Sequence, residues 1–221
     1  MRTPYTGKRL LDIVFSAIFL VVFFPAYLLV PAIIRLCSPG PAIYKSSRVG
    51  YGGRTFTMYK YRSMKINSRP VEPITLEEDE RIFPFGRWIR KTKLDEFPQM
   101  INVLRGEMSV IGPRPESVDV ADEAYREKYA ELFTVKPGLS SPGSLYDYAC
   151  GEKAGSVERY LNESMNRKMA LEAYYVAHAS LGYDLRLILR TAGRILLTVL
   201  GDQPRRLPEE ALIPGRPEMR A

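Results

Sequence analysis

The chain has 221 residues, 46% hydrophobic and 26% charged, which excludes both a disordered polymer and a polytopic transporter. Two cysteines, Cys37 and Cys150, and a single histidine, His178, leave no material for a disulfide framework, a zinc cluster or a Ser-His-Asp triad. The formal charge of +7 sits at the front: residues 1–69 hold eleven Lys and Arg against one acid, Asp12, so an anionic partner is expected there, whether lipid head groups, a nucleotide or nucleic acid.

The first element is an uncharged run, residues 13–34, of 22 residues between Asp12 and Arg35. About 20 apolar residues suffice to cross a hydrocarbon core as a helix, and the apolar character runs all the way round, unlike a soluble amphipathic helix. Pro25, near its middle, removes an intrahelical hydrogen bond and favours a break. Both flanks are basic, with Arg2, Lys8 and Arg9 before the run and Arg35, Lys45, Arg48 and Arg54 after it. Two half-helices of about 17 Å that return to the face they entered are therefore favoured, with a kinked spanning helix as the alternative.

Next come the turn SPGP (38–41), two short strands at 42–45 and 54–61, and a glycine-rich link between them that reads as a hairpin turn. Residues 67–80 are polar and acidic and read as a solvated loop or helix start. Leu94, Phe97, Ile101 and Leu104 share one helical face, which predicts a helix over about 95–105 that stops at Gly106 and carries Asp95 and Glu96 in its first turn. Amphipathic helices are expected at 118–133 and 155–178. A further helix at 185–200 carries Arg186, Arg190 and Arg194 in a four-residue repeat, the pattern of an interfacial helix or of a core helix with a basic face. The Pro-rich end from Gln203 reads as a disordered tail. His178 is assigned to packing, and Trp88 to a membrane-interface anchor or the core.

Asp95 and Glu96 are the candidate site. Two carboxylates at a helix start are accounted for by capping alone. Arg87, Arg90, Lys91 and Lys93 just upstream, and Arg114 in the Gly112–Pro115 turn, also make the pair suitable for Mg²⁺ and bridged phosphates, or for an aspartyl nucleophile on phosphorus. No P-loop signature is present.

The stretches KRLLDIVFS (8–16), RVGYGGRTFTMYKYRSM (48–64), FGRWIRKTKLDEFPQMINVLRGEMSVIGPRP (85–115), VKPGL (135–139) and EAYYVAHASLGYDLRLIL (172–189) resemble the bacterial sugar transferases, the small monotopic phosphoglycosyl transferases. The resemblance implies an α+β, mostly helical monotopic membrane protein with a re-entrant helix broken at Pro25, a short β-hairpin and interfacial amphipathic helices. The implied layout is an anchor at 1–36, a catalytic domain at 37–202 and a tail at 203–221. It also implies transfer of a phospho-sugar from a UDP-sugar to undecaprenyl phosphate at the cytoplasmic face of the bacterial inner membrane, with Mg²⁺ and release of UMP. Asp95 would be the nucleophile, Glu96 its partner in metal binding or proton transfer, and Lys60, Arg62, Arg90 and Arg114 the phosphate contacts; Asp184 is assigned a structural part.

Departures from the family pattern are Ser46 at the first position of a Q-x-R-x-G stretch, the Ser140–Ser144 run after Pro137-Gly138-Leu139, and Glu172 where Asp is usual. The altered 140–150 stretch is expected to be a loop that lines the sugar pocket, and the short chain a minimal catalytic unit. The alternative is a non-enzymatic scaffold that holds anionic lipid through the basic front. No nucleic-acid-binding motif is present, and a homodimer is left open.

Overall fold

A computed structural model describes residues 4–66, 80–121, 123–150 and 165–201. The acidic 67–79 stretch, residues 155–164 of one expected helix and the Pro-rich tail lie outside the described residues. The described chain is mostly helical, with two small pairs of strands.

The apolar front forms two helices, α1 (Lys8–Val22) and α2 (Phe24–Cys37), bent by 63° at Phe23. Pro25 sits in the first turn of α2, where its missing N–H costs no helical bond. The break thus falls two residues before Pro25, which takes its place in the first turn of the new helix, while Pro31 is carried inside α2. No single described helix is long and apolar enough to cross a membrane.

Helix α1 is inside out. Its buried residues are Lys8, Asp12 and Ser16, spaced four apart, while Leu10, Ile13, Val14, Ile18, Val21 and Val22 are exposed. Two of the three, Lys8 and Asp12, are held by polar bonds. Asp12 accepts from the Ser109 hydroxyl at 2.8 Å and the Val110 N–H at 2.9 Å. The Lys8 ammonium donates to the Ile111 carbonyl at 2.8 Å and pairs with Asp184. Asp184 also accepts from Tyr5 at 2.7 Å and Tyr175 at 2.9 Å, which bears out its structural assignment.

Strands β1 (Ile43–Val49) and β2 (Thr55–Tyr61) form the expected antiparallel hairpin across Tyr51–Gly53. Then follow α3 (Pro84–Lys91), a 3-10 turn at Leu94–Glu96, α4 (Gln99–Arg105), β3 (Ser109–Ile111), α5 (Glu123–Lys128) and a 3-10 segment at Ala130–Thr134. The chain continues through β4 (Gly138–Ser140), α6 (Pro142–Cys150), α7 (Met165–His178) and α8 (Leu181–Val199). β3 and β4 pair in parallel, and Gly112 and Gly138 approach so closely that a Cβ on Gly138 would lie 2.1 Å from the Gly112 nitrogen. Around them one core forms from Met58, Val103, Met108, Leu145, Tyr175 and Leu187. A second, of Val30, Ile34, Tyr61, Phe83 and Ile89, seats α2 on the hairpin and α3.

Several expectations are corrected. The helix at 118–133 is instead a short α5 and a 3-10 segment, divided at Tyr129, whose φ of −121° is not helical. The 140–150 stretch is helix rather than loop. The Ser141 hydroxyl caps its start by accepting from the Ser144 N–H at 2.9 Å, and Pro142 follows with its φ preset for a helix. His178 is exposed and stacked on Tyr174 at 4.0 Å rather than packed in the core. Trp88, expected as an interface anchor or in the core, is exposed against Phe85, so the core alternative is excluded.

Candidate active site

The turn that carries Asp95 and Glu96 is built by two backbone constraints. Lys93, at the exit of α3, has φ 57°, and among the described residues it alone holds a positive φ without being glycine. Such a conformation costs on the order of 1–2 kcal/mol and reverses the chain within one residue. Pro98 then cannot donate a hydrogen bond, so the chain closes i to i+3 instead: Glu96 N–H to Lys93 O at 3.2 Å and Phe97 N–H to Leu94 O at 3.1 Å. The pair therefore lies on a single 3-10 turn, and the α-helix expected to contain it begins later, at Gln99, and ends at Gly106 as predicted, with φ 80°. Tyr27 of α2 donates to the Phe97 carbonyl at 2.6 Å, and Phe19 and Phe23 at the helix bend meet the Phe97 ring edge-on at 4.7 and 5.1 Å. The bend of the apolar pair is thereby fastened to the carboxylate turn.

Both carboxylates are buried, at 7% and 6% exposure, yet their surroundings differ. One oxygen of Glu96 accepts from Arg114 at 2.8 Å and from Lys60 at 3.2 Å. Burial pushes the Glu96 carboxyl up, but Arg114, Lys60 and Lys93 together outweigh it and hold the group well below the usual carboxylate range. Asp95 has a buried Oδ1 with no hydrogen-bond partner. Burial raises its pKa, Lys60 opposes this, and the adjacent Glu96 charge adds to it. The outcome is one fixed anion beside one bare carboxylate oxygen.

Lys60 reaches the pair from β2, and Asn102 of α4 sets that strand in place: its amide donates to Thr57 O at 2.7 Å, and its carbonyl accepts from the Tyr59 N–H at 3.2 Å. Arg114 is set from behind. Its N–H donates to Glu172 at 3.2 Å, and the same carboxylate oxygen accepts from Ser141 at 2.7 Å. Burial pushes the Glu172 carboxyl up to about 7 against the bonds from Ser141 and Lys168's charge. Glu116, two residues on, pairs with Lys168 of α7 at 2.9 Å.

Lys60 and Arg114 are thus brought together at Glu96, and Arg90 of α3 is near enough to favour the Asp95 anion. Arg62 is placed elsewhere. Its guanidinium is engaged by Pro41 O at 2.7 Å, Ser38 Oγ at 2.8 Å and Ser38 O at 2.5 Å, so it clamps the SPGP turn to the hairpin. Glu172, Asn102 and Arg48 carry the site without having been singled out for it. The signal for Asn102 was a polar residue on the apolar face of a helix; for Arg48, its place next to last in β1 on the face that carries Lys60. Among the described residues no three His, Cys, Asp or Glu converge to form a metal cage. Two neighbouring carboxylates, one with a bare oxygen, still fit a hard cation that completes its shell with substrate phosphate and water.

A buried carboxylate pair flanked by cations suits chemistry on phosphoryl groups. The family described as bacterial sugar transferase matches residues 3–198. The chain is 34% identical over 195 residues to the UDP-glucose:undecaprenyl-phosphate glucose-1-phosphate transferase of Caulobacter vibrioides, covering 86% of this chain and 70% of that protein. It is 33% identical over 199 residues to the Escherichia coli protein of the same name, and 35% identical over 199 residues to the UDP-N-acetylgalactosamine-undecaprenyl-phosphate N-acetylgalactosaminephosphotransferase of Aeromonas hydrophila. The matched region spans 41% and 44% of those two proteins, so the chain accounts for less than half of each. The chain belongs to the bacterial sugar transferase family, a class of phosphoglycosyl transferases.

Proposed function

We propose that the chain transfers a phospho-sugar from a UDP-sugar to undecaprenyl phosphate with release of UMP, through a covalent intermediate on Asp95. The observation that carries this reading is the bare, buried Oδ1 of Asp95 beside a Glu96 already satisfied by Lys60 and Arg114. In the first step an Asp95 carboxylate oxygen attacks the phosphorus that bears the sugar. An O–P bond forms, the diphosphate bridge breaks, and the bridging oxygen leaves with UMP. In the second step a phosphate oxygen of the acceptor attacks the same phosphorus; the aspartyl O–P bond breaks and the Asp95 carboxylate is restored. Both substrates visit one site in turn, and no proton need be stored between the steps.

Lys60 and Arg114 would hold Glu96 in place and neutralise oxygens of the diphosphate, and Lys60, with Lys93 and Arg90, would favour the Asp95 anion against its burial. Asp95 and Glu96 would hold Mg²⁺, which supplies charge neutralisation of the diphosphate.

The exposed apolar sides of α1 and α2 support residence in one leaflet. The arms have 15 and 14 residues and are bent by 63°. At 1.5 Å per residue each is about 22 Å long, too short to cross ~30 Å. On α8, Leu181, Leu185, Leu189, Leu196 and Leu200 are exposed along one side, as an interfacial helix would be. The bond from Tyr27 to Phe97 O would then set the carboxylate turn at head-group depth, where a polyprenyl phosphate presents its anion on the cytoplasmic side.

The test is UMP release from a panel of UDP-sugars with undecaprenyl phosphate and Mg²⁺. Wild type should release UMP with at least one donor. Asp95→Asn should lose about a thousandfold or more, the scale seen when a nucleophile is removed, and Glu96→Gln should fall less. Full activity in Asp95→Asn would refute the mechanism.

A further inference from the structure

The hairpin carries a second guanidinium toward the carboxylate turn. In the β1–β2 register Tyr44 lies opposite Lys60, Ser46 opposite Met58 and Arg48 opposite Phe56. Directly opposed residues, and those two apart, share one face of a hairpin, so Arg48 projects on the same side as Lys60. Arg48 leans back along its strand, its Nε donating to Ser46 Oγ at 3.3 Å, and its charge is within electrostatic reach of Lys60 and Glu96. The end of β1 is also stitched to the segment after Arg114: Val49 N–H donates to Glu116 O at 3.1 Å, and Arg48 bridges Ser117. Two guanidiniums, Arg48 and Arg114, therefore converge on one side of Glu96.

The charge of Arg48 is incompletely answered. Glu96 accepts from Lys60 and Arg114, and Glu116 is paired with Lys168. Arg48 makes no ion pair among the described residues beyond its bond to Ser46. Burial pulls the Arg48 pKa down, and Arg114 adds to this more than Glu116 or Glu96 offsets it. Two partly desolvated, mutually repelling guanidiniums held by a strand and a Pro-Arg-Pro turn make a site for a doubly charged anion. In the register Arg48 is four residues from the position opposite Lys60, roughly 13 Å at 3.3 Å per residue. Its charge bears on Lys60 and Glu96, whereas the cations that bear on Asp95 are Lys60, Lys93 and Arg90; Arg48 thus belongs to the Glu96 side of the pair.

We propose that Arg48, braced by Ser46 and acting beside Arg114, binds the phosphate that departs with the nucleotide. This rests on the phosphoglycosyl transfer proposed above, in which Asp95 takes the other phosphate. Arg48 would then strengthen donor binding and carry the charge that develops on UMP as the diphosphate bridge breaks. The polyprenyl acceptor, which arrives after UMP has left, would not need it.

The experiment titrates the full chain in detergent with UMP and with uridine, and measures donor and acceptor KM. Arg48→Gln should weaken UMP binding by about tenfold or more, the scale of a lost charge-assisted hydrogen bond. Uridine binding and the acceptor KM should not change, and the donor KM should rise. Arg54→Gln, an exposed position beyond the hairpin turn, should leave both nucleotide affinities as in wild type. Thermal melts establish that each variant is folded. Should Arg48→Gln not fold, Arg48→Lys decides, since it keeps the charge and loses the fork: a weakened UMP affinity supports the assignment and an unchanged one overturns it. UMP affinity within twofold of wild type in folded Arg48→Gln overturns it while the transfer reaction stands. A wild type that releases no UMP from any donor removes the reaction itself.

Discussion

At Asp95 the unpaired Oδ1 and at Glu172 the unpaired Oε2 are two buried carboxylate oxygens with different consequences. Asp95 lies on the turn beside Lys60, Lys93 and Arg90, whereas Glu172 is fully enclosed behind Arg114. Its raised pKa acts on stability instead. Between the ordinary glutamate value and about 7, the folded chain keeps a proton that the unfolded chain has released. Stability therefore falls as pH rises through that window, by roughly 3 kcal/mol at most. Glu172→Gln has no proton to lose, so urea melts at pH 5 and pH 8 should show its stability gaining on wild type at the higher pH. Parallel profiles for the two proteins would contradict the burial argument. At this scale the sequence was half legible. The Asp95–Glu96 pair and Lys60 stand out by motif, but the division of labour between the carboxylates depends on which oxygen meets a cation. That is decided by Arg114, eighteen residues on, and no local pattern encodes it. Arg62 shows the converse: the same stretch that offers Lys60 to Glu96 sends the next arginine into the SPGP turn, where free carbonyls compete for it.

Among the elements, α6 and α7 act on the carboxylate pair through Arg114 without touching the pair itself. Ser141 at the start of α6 and Glu172 on α7 share one hydrogen bond, and Gly143 lies between them. A Cβ on Gly143 would sit 2.6 Å from the Glu172 carboxylate, which has no room to withdraw. Gly143→Ala should cost about 1–3 kcal/mol by overpacking, and it should slow UMP release by displacing the Arg114 backbone. A calorimetric melt and a rate measurement on one preparation check both effects; unchanged values would mean that Glu172 does not position Arg114. The hairpin, the stop at Gly106 and the helix of residues 185–200 were legible because glycine punctuation and apolar periodicity are local. The 3-10 turn at 94–96 was not, because apolar spacing reads through it into α4; only the missing N–H of Pro98 marks the shift. The 140–150 segment read as a loop because serine, proline and glycine open it, although the same Ser-Pro pair is a helix start once Ser141 is used as a cap.

Across the whole molecule, the distribution of polarity is inverted at one end and ordinary at the other. Lys8, Asp12 and Ser16 are buried while Leu10, Ile13, Val14, Ile18, Val21 and Val22 of α1 and Phe24, Leu28, Leu29 and Leu36 of α2 face outward. In water such a surface would aggregate, and in lipid it is the stable arrangement. The protein should therefore remain in the membrane fraction through 1 M salt and alkaline carbonate and be released only by detergent; release by salt alone would contradict the lipid-embedded reading and favour a peripheral scaffold. The apolar run was evident from its 22 uncharged residues. The bend at Phe23 and its fastening to Phe97 were not, since they depend on contacts 70 residues apart in the chain.

The central claim is that Asp95 carries the phospho-sugar between the two half-reactions. Intact-mass spectrometry of the full chain, incubated with Mg²⁺ and an active UDP-sugar but without acceptor, tests it most directly. A mass gain equal to one phospho-sugar should appear on wild type, map to Asp95 and disappear when undecaprenyl phosphate is added; Asp95→Asn should gain nothing. An adduct that persists in Asp95→Asn, or turnover by wild type with no adduct at any time before acceptor is supplied, would contradict the account.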